Sequence, residues 1–261
     1  MAILSVKDMT KSFGGLTAVS KVNMELQQGE LVGLIGPNGA GKTTAFNLLT
    51  GVYEPTSGTV TLTKNGVSKE IQGMKPYTIC KEGMARTFQN IRLFKELTVL
   101  DNVRIAMNQN VKYGMASSLF HLPSYHKAEK ELKEKSIELL KIFHLENKMD
   151  ELAKNLPYGE QRHLEIVRAL ATEPVLLLLD EPAAGMNPAE TAQLTDLIQS
   201  IRKQFNLTIL LIEHDMSLVM KICERIYVLD YGQIIANGTP EEIKTNKRVI
   251  EAYLGEEVDN A

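Results

Sequence analysis

Leu31-Val32-Gly33-Leu34-Ile35 runs directly into Gly36-Pro37-Asn38-Gly39-Ala40-Gly41-Lys42-Thr43-Thr44. Five apolar residues in a row predict a buried strand, and the nine that follow fit G-x-x-x-x-G-K-[ST]. Glycines let the backbone curl until successive N–H groups, together with the dipole of the next helix, converge on phosphate oxygens. In such a cradle Lys42 neutralises charge on the terminal phosphates, and the Thr43 hydroxyl offers a ligand to Mg²⁺. A strand, a phosphate-gripping turn and a helix in immediate succession predict a nucleotide-binding α/β domain rather than a chance glycine-rich turn.

Working outward, Val175-Leu176-Leu177-Leu178-Leu179 is a second apolar strand and ends in Asp180-Glu181, with Pro182 stopping the run. Chemistry in open parallel sheets sits at such strand ends. Beside a phosphate loop, Asp180 is placed to support the Mg²⁺ shell, and Glu181 to orient or deprotonate an attacking water. Leu207 to Ile212 likewise ends at Glu213-His214, which puts His214 at the same edge. With a further strand at Arg225 to Leu229, strands and helices alternate through the last third and imply βαβ units. Helix starts are marked by Asn187-Pro188-Ala189-Glu190 and Thr239-Pro240-Glu241-Glu242, each a cap, an N1 proline and an N3 carboxylate.

The first third is rich in β signals at Ile3 to Val6, Val22 to Leu26 and Gly58 to Thr63, whereas helical signals take over from about Leu97 to Asn155, beginning with Thr98 and Asp101 at capping-box spacing. In Lys127 to Phe143, Ala128, Leu132, Leu139 and Phe143 form one stripe, and Glu129/Lys133 with Glu131/Lys135 make favourable i,i+4 pairs. This pattern predicts a helical insert within one α/β domain. The 261 residues carry 29 Lys plus Arg against 32 Asp plus Glu, a formal net charge of −3, so no bulk basicity advertises nucleic acid or a lipid surface. Two cysteines, Cys80 and Cys223, are too few for a disulfide framework. No charged and apolar leader opens the chain, and no aliphatic run approaches the ~20 residues of a membrane span. The reading is a protein of the reducing cytoplasm that does not itself enter a bilayer.

Together these residues resemble the ATP-binding subunit of an ABC transporter, from about Ala2 to Gly255. Gly36 to Thr44 corresponds to the family's Walker A loop and Val175 to Glu181 to its Walker B strand. Gln89, in Arg86-Thr87-Phe88-Gln89-Asn90, corresponds to the Q-loop glutamine, and His214 to the switch histidine. Phe13 stands where the family stacks an aromatic on adenine. The signature loop, usually Leu-Ser-Gly-Gly-Gln, is replaced by Leu156-Pro157-Tyr158-Gly159-Glu160 ahead of a helix near Glu160 to Ala171. Pro157 lacks both the hydroxyl and the backbone N–H of the usual serine, and Tyr158 replaces a glycine, so phosphate contact there relies on Gly159 and the helix N-terminus. Asn187 stands where many members have Asp.

The resemblance implies a P-loop NTPase (RecA-like) parallel sheet core with an N-terminal antiparallel β subdomain and an inserted α-helical subdomain. The whole chain, 1–261, is then one ABC ATPase domain, with residues 1–96 and 157–261 as core and 97–156 as the insert. It further implies ATP and Mg²⁺ as ligands, with Thr43, Asp180 and Gln89 around the metal and Glu181, His214 and Gln89 serving hydrolysis. Implied partners are a second ABC ATPase subunit, identical or not, and two membrane permease subunits at the cytoplasmic face. The run Gly83 to Phe94, the Leu-Pro-Tyr-Gly signature, an insert of about Gln109 to Lys130 and the ending Ala252-Tyr253-Leu254-Gly255 are similar to the larger ATPase subunit of branched-chain amino acid importers. Such systems also use an extracytoplasmic substrate-binding protein. A urea, amide or lipopolysaccharide system is the nearest alternative. A non-transport ABC ATPase fits less well, because the chain has one phosphate loop and no sustained heptads.

Overall fold

In the computed structural model residues 1–108 and 123–254 are described, so the first part of the expected 109–130 insert and Gly255 lie outside the described residues. The chain divides into two compact units, one made of Met1–Arg86 with the chain from Val175 onward, the other of Thr87–Pro174.

The first unit holds two sheets. β1 (Ala2–Phe13), β2 (Leu16–Gln27), β4 (Ser57–Lys64) and β5 (Val67–Glu70) form an antiparallel sheet in the order β2-β1-β4-β5. The second sheet runs β10-β9-β3-β8-β7-β6, from β3 (Leu31–Ile35), β6 (Met84–Arg86), β7 (Leu176–Asp180), β8 (Thr208–Ile212), β9 (Arg225–Asp230) and β10 (Gln233–Gly238). Every pairing in it is parallel except β9 with β10. β3, β7 and β8 are buried at every position, as continuous apolar runs in a parallel sheet require.

Helix α1 (Lys42–Leu49) lies between the sheets: Phe46 and Leu49 join one apolar cluster with Leu4, Val6 and Met24 of the antiparallel sheet and Leu34, Leu178 and Leu210 of the parallel one. Each such side chain contributes about 1.5–3 kcal/mol on burial, so α1, and with it the loop that precedes it, is fixed by packing on two sides. Around the core lie α2 (Pro76–Lys81), α6 (Pro188–Gln204), α7 (Met216–Ile222), α8 (Pro240–Thr245) and α9 (Lys247–Leu254). Both expected capping boxes form, Asn187 with Glu190 and Thr239 with Glu242.

Cys223, 6% exposed, lies against β3, where a Cβ added to Gly33 would come within 3.1 Å of its sulfur. Burial pushes its thiol up to about 12. Thiolate is the reactive form, so brief treatment with iodoacetamide is expected to leave Cys223 unmodified in the folded protein, as peptide mass spectrometry will read out.

The second unit contains α3 (Val99–Met107), α4 (Pro123–Ile142) and α5 (Tyr158–Leu170). Thr98 caps α3 by accepting the Asp101 N–H at 3.0 Å. On α4 the buried positions are Leu132, Ser136 and Leu140, so the stripe is rotated by one residue from Leu139. The expected pairs Glu129/Lys133 and Glu131/Lys135 do not form. Glu129 is taken by Arg104 of α3, and Glu131 by Lys127 at 4.0 Å. A partner on a neighbouring helix outcompetes the local one because its guanidinium is half-buried and already paired with Asp101.

Candidate nucleotide site

The edges of three parallel strands set the geometry. Leu34 of β3 and Asp180 of β7 are both in register with Ile212 of β8, so the chain leaves the sheet at Gly36, Glu181 and Glu213 along one line. At Gly36, φ is +152° and a Cβ would lie 1.9 Å from the Leu229 carbonyl oxygen. Gly41 is the N-cap of α1 at φ 104°, where a Cβ would meet the Ala18 carbonyl oxygen at 2.6 Å. No other residue type fits either position. The Gly232 N–H, in the turn between β9 and β10, donates to the Ala40 carbonyl at 2.9 Å and braces the loop from outside.

No side chain caps α1, which leaves the first-turn N–H groups of Lys42, Thr43 and Thr44 available for a ligand anion. Lys42 Nζ donates to the carbonyls of Gly36 and Pro37 at 2.6 and 2.9 Å. Burial lowers its ammonium pKa, while the charge of Glu181 opposes that shift. Asn38 and Gly39 form the open crest of the loop, where a Cβ at Gly39 would touch nothing.

Asp180 is 4% exposed, and its Oδ2 accepts from Arg86 Nη2 at 2.6 Å. Glu181 has φ 46°, a left-handed backbone unusual for glutamate and costing about 1–3 kcal/mol. Its Oε2 lies 3.8 Å from His214 Nδ1. Glu213, 1% exposed, accepts N–H groups from Ala183, His214 and Asp215 at 2.8, 3.0 and 3.4 Å. Burial pushes its carboxyl up, and those N–H groups oppose the shift. Glu213 thus ties the turn after Glu181 to the turn that carries His214. A buried carboxylate and a threonine hydroxyl are hard oxygen donors of the kind Mg²⁺ takes. Among the described residues no group of three or more His, Cys, Asp or Glu side chains could hold a metal ion.

Phe13, 44% exposed at the β1 end, is held edge-on by Tyr53 with ring centroids 5.3 Å apart, and Lys11 Nζ lies 5.1 Å from its ring centroid. A ring this exposed leaves apolar surface on which a planar group can pack.

Gln89 and Leu156–Glu160 belong to the second unit. Helix α5 begins at Tyr158, two residues before the expected start, with Pro157 at the N-cap and no side-chain cap. Proline suits that place because the N–H it lacks has no helical partner there. Leu156 is buried, Tyr158 is 47% exposed, and Glu160 pairs with Lys148 at 2.6 Å. One turn into the helix Arg162 is fully buried. Its Nη1 donates to the Phe88 carbonyl at 2.6 Å and to Glu165 at 2.7 Å, and its Nη2 to the Gln89 carbonyl at 2.7 Å. Glu165 accepts the Phe88 and Arg92 N–H groups at 3.3 and 3.2 Å. Burial raises the Glu165 carboxyl pKa, with Arg162 opposing. This buried pair ties α5 to the segment around Gln89 within the compact unit Thr87–Pro174.

The model of the ABC transporter family matches residues 19–184. The chain belongs to that family. A second family model, described as a branched-chain amino acid ATP-binding cassette transporter, matches residues 233–259 of this ABC ATPase. It is 50% identical over 254 residues to the high-affinity branched-chain amino acid transport ATP-binding protein LivG of Escherichia coli K12, covering 97% of this chain and 98% of that one. Identity to BraF of Pseudomonas aeruginosa, described in the same words, is 46% over 254 residues with the same coverage. Among solved structures, the ADP conformation of MJ1267, an ATP-binding cassette of an ABC transporter, matches with a TM-score of 0.83 at 31% identity, covering 98% of this chain and 100% of that one. The expected P-loop core with an antiparallel β sheet and helices is the architecture found, and the chain is an ATP-binding ABC ATPase.

Sequence reasoning gave no role to Arg86 and Glu213 of the first unit or to Arg162 and Glu165 of the second. Arg162 and Glu165 stand three residues apart on one helix, a spacing that could have flagged them; the Asp180, Phe88 and Ala183 partners of Arg86, Arg162 and Glu213 lie 94, 74 and 30 residues away, beyond any local pattern.

Proposed function

We propose that this chain is the ATP-hydrolysing subunit of an importer of branched-chain amino acids, working at the cytoplasmic face through two permease subunits. The observation that carries hydrolysis is the shared strand edge, where Leu34, Ile212 and Asp180 stand in register and bring the loop, Glu181 and His214 together. The cargo class rests on full-length likeness to LivG and BraF and on the separate match at 233–259.

In this reading Phe13 stacks on adenine, and the loop from Gly36 to Thr44 wraps the phosphates. Lys42 exchanges the two carbonyls it now holds for phosphate oxygens. Thr43, Asp180 and Gln89 would hold Mg²⁺, which would neutralise charge building up on the phosphate oxygens. Glu181 orients a water and takes its proton as the water oxygen bonds to the γ-phosphorus and the bond to the β-phosphate oxygen breaks. His214 holds Glu181 and the leaving phosphate in line. The partner subunit's ATP is covered by Leu156, Pro157, Tyr158, Gly159 and Glu160, so each working site needs two subunits. An extracytoplasmic binding protein delivers the cargo.

Two experiments test this. Lys42→Ala is expected to weaken ATP binding at least tenfold, since a charge-assisted bond contributes about 1.5–3 kcal/mol; titration with a fluorescent ATP analogue measures it, and unchanged affinity removes Lys42 from its role. For the cargo, the tagged chain is purified with its membrane subunits and placed in proteoliposomes. Leucine with its binding protein is expected to stimulate ATP hydrolysis, whereas a response to lipopolysaccharide or urea instead would reassign the system.

A further inference from the structure

Arg86 ends β6 with its guanidinium shared between two parts of the nucleotide site. One arm reaches Asp180 Oδ2 at 2.6 Å, where the two side chains are 7% and 6% exposed. The other reaches Asn47 Oδ1 at 2.7 Å and Thr50 Oγ1 at 3.3 Å, and the group lies 5.4 Å from the Phe46 ring centroid. Asn47 and Phe46 belong to α1 and Thr50 is its C-cap. The same fork therefore joins the terminal carboxylate of β7 to the helix whose first turn is the phosphate loop.

Taking a carboxylate this deep into the protein is costly unless an opposite charge is paired with it. Arginine supplies that charge permanently and in a planar fork that satisfies several acceptors at once. Lys42 in turn feels the negative charge of Glu181, and Glu213 is held by three backbone N–H groups. Without nucleotide the Asp180 carboxylate is already paired and offers a free divalent cation little net attraction. A nucleotide triphosphate changes that by bringing its own negative oxygens.

We propose that Arg86 is the resident counter-cation of Asp180, so that a divalent cation enters this site with the nucleotide and not ahead of it. The inference rests on the reading of Asp180 as a support of the metal, and Arg86 acts through Asp180 as a positioning residue.

Manganese binding to the full chain, followed by the electron paramagnetic resonance signal of free Mn²⁺, tests it without relying on turnover. Wild-type protein is expected to bind Mn²⁺ at least tenfold more weakly without nucleotide than with a non-hydrolysable ATP analogue. Arg86→Gln is expected to bind Mn²⁺ without nucleotide at least tenfold more tightly than wild type, and adding Asp180→Asn to it should reverse that gain. Arg86→Lys, which keeps the charge, should stay within about threefold of wild type. An unchanged nucleotide-free affinity in Arg86→Gln overturns the proposal, as does a gain in Arg86→Lys as large as in Arg86→Gln. If Arg86→Gln does not fold, wild type and Asp180→Asn carry the test. Tight nucleotide-free binding by wild type that Asp180→Asn abolishes overturns it. If Asp180→Asn leaves Mn²⁺ affinity unchanged in the nucleotide complex, the underlying reading of Asp180 fails instead, and the proposal with it.

Discussion

Glu181→Gln is expected to lower ATP turnover by about 10²–10⁴-fold, the range general-base catalysis supplies, while ATP binding is retained. The substitution keeps the length and shape of the side chain, so the left-handed turn at φ 46° and the approach to His214 at 3.8 Å survive. What is lost is the capacity to accept a proton. Binding has no reason to weaken, because an anion next to the phosphate loop opposes an anionic ligand; its removal also takes away the negative charge that Lys42 feels. Phosphate release by the purified variant, alongside titration with a fluorescent ATP analogue, separates the two effects. A rate near that of wild type would remove Glu181 from the chemistry. If the proposed two-subunit site is opened by hydrolysis, a closed two-subunit form should also accumulate with ATP.

The parts of this site that a reader of the sequence can find are those written in adjacent residues. The phosphate loop and the Asp180-Glu181 end of β7 each combine a buried strand with its turn inside about a dozen positions, and periodicity plus residue type suffice. The capping residues Asn187 and Thr239 were legible for the same reason. By contrast, β1 and β2 run twelve residues each, although alternation is visible only over Ile3 to Val6 and Val22 to Leu26. Register shifts between Val6 and Met9, with left-handed backbone at Asp8 and Lys21, break the two-residue period. α5 starts ahead of the glutamate expected to open it because Pro157 initiates a helix from outside. Arg86 and Glu213 were invisible as parts of a site because their meaning lies in the distant partners Asp180 and Ala183. These two also turn a local motif into a positioned one: the phosphate loop is complete within its own residues, whereas Asp180 is held by a buried guanidinium and the turn after Glu181 by the buried Glu213 carboxylate.

Arg162→Ala is expected to lower stability by about 3–5 kcal/mol, the usual cost of deleting one member of a buried ion pair. The side chain is 0% exposed, and its loss leaves Glu165, at 6%, without its guanidinium. It also strips the donors from the carbonyls of Phe88 and Gln89. A urea-unfolding series with tryptophan-free detection, by circular dichroism, measures the shift; a change under about 1 kcal/mol would show that the pair contributes little. The double substitution Arg162→Met with Glu165→Leu distinguishes stability from function. Apolar replacements of similar volume often restore or exceed the stability of a buried ion pair, so most of the loss should return. The backbone of Phe88 and Gln89 would still lack its clamp. Turnover is expected to lie below that of wild type in the double variant despite recovered stability, because the Phe88 and Gln89 carbonyls lose the guanidinium that holds the Gln89 segment to α5. Full recovery of both would reduce Arg162 and Glu165 to ordinary packing within the second unit.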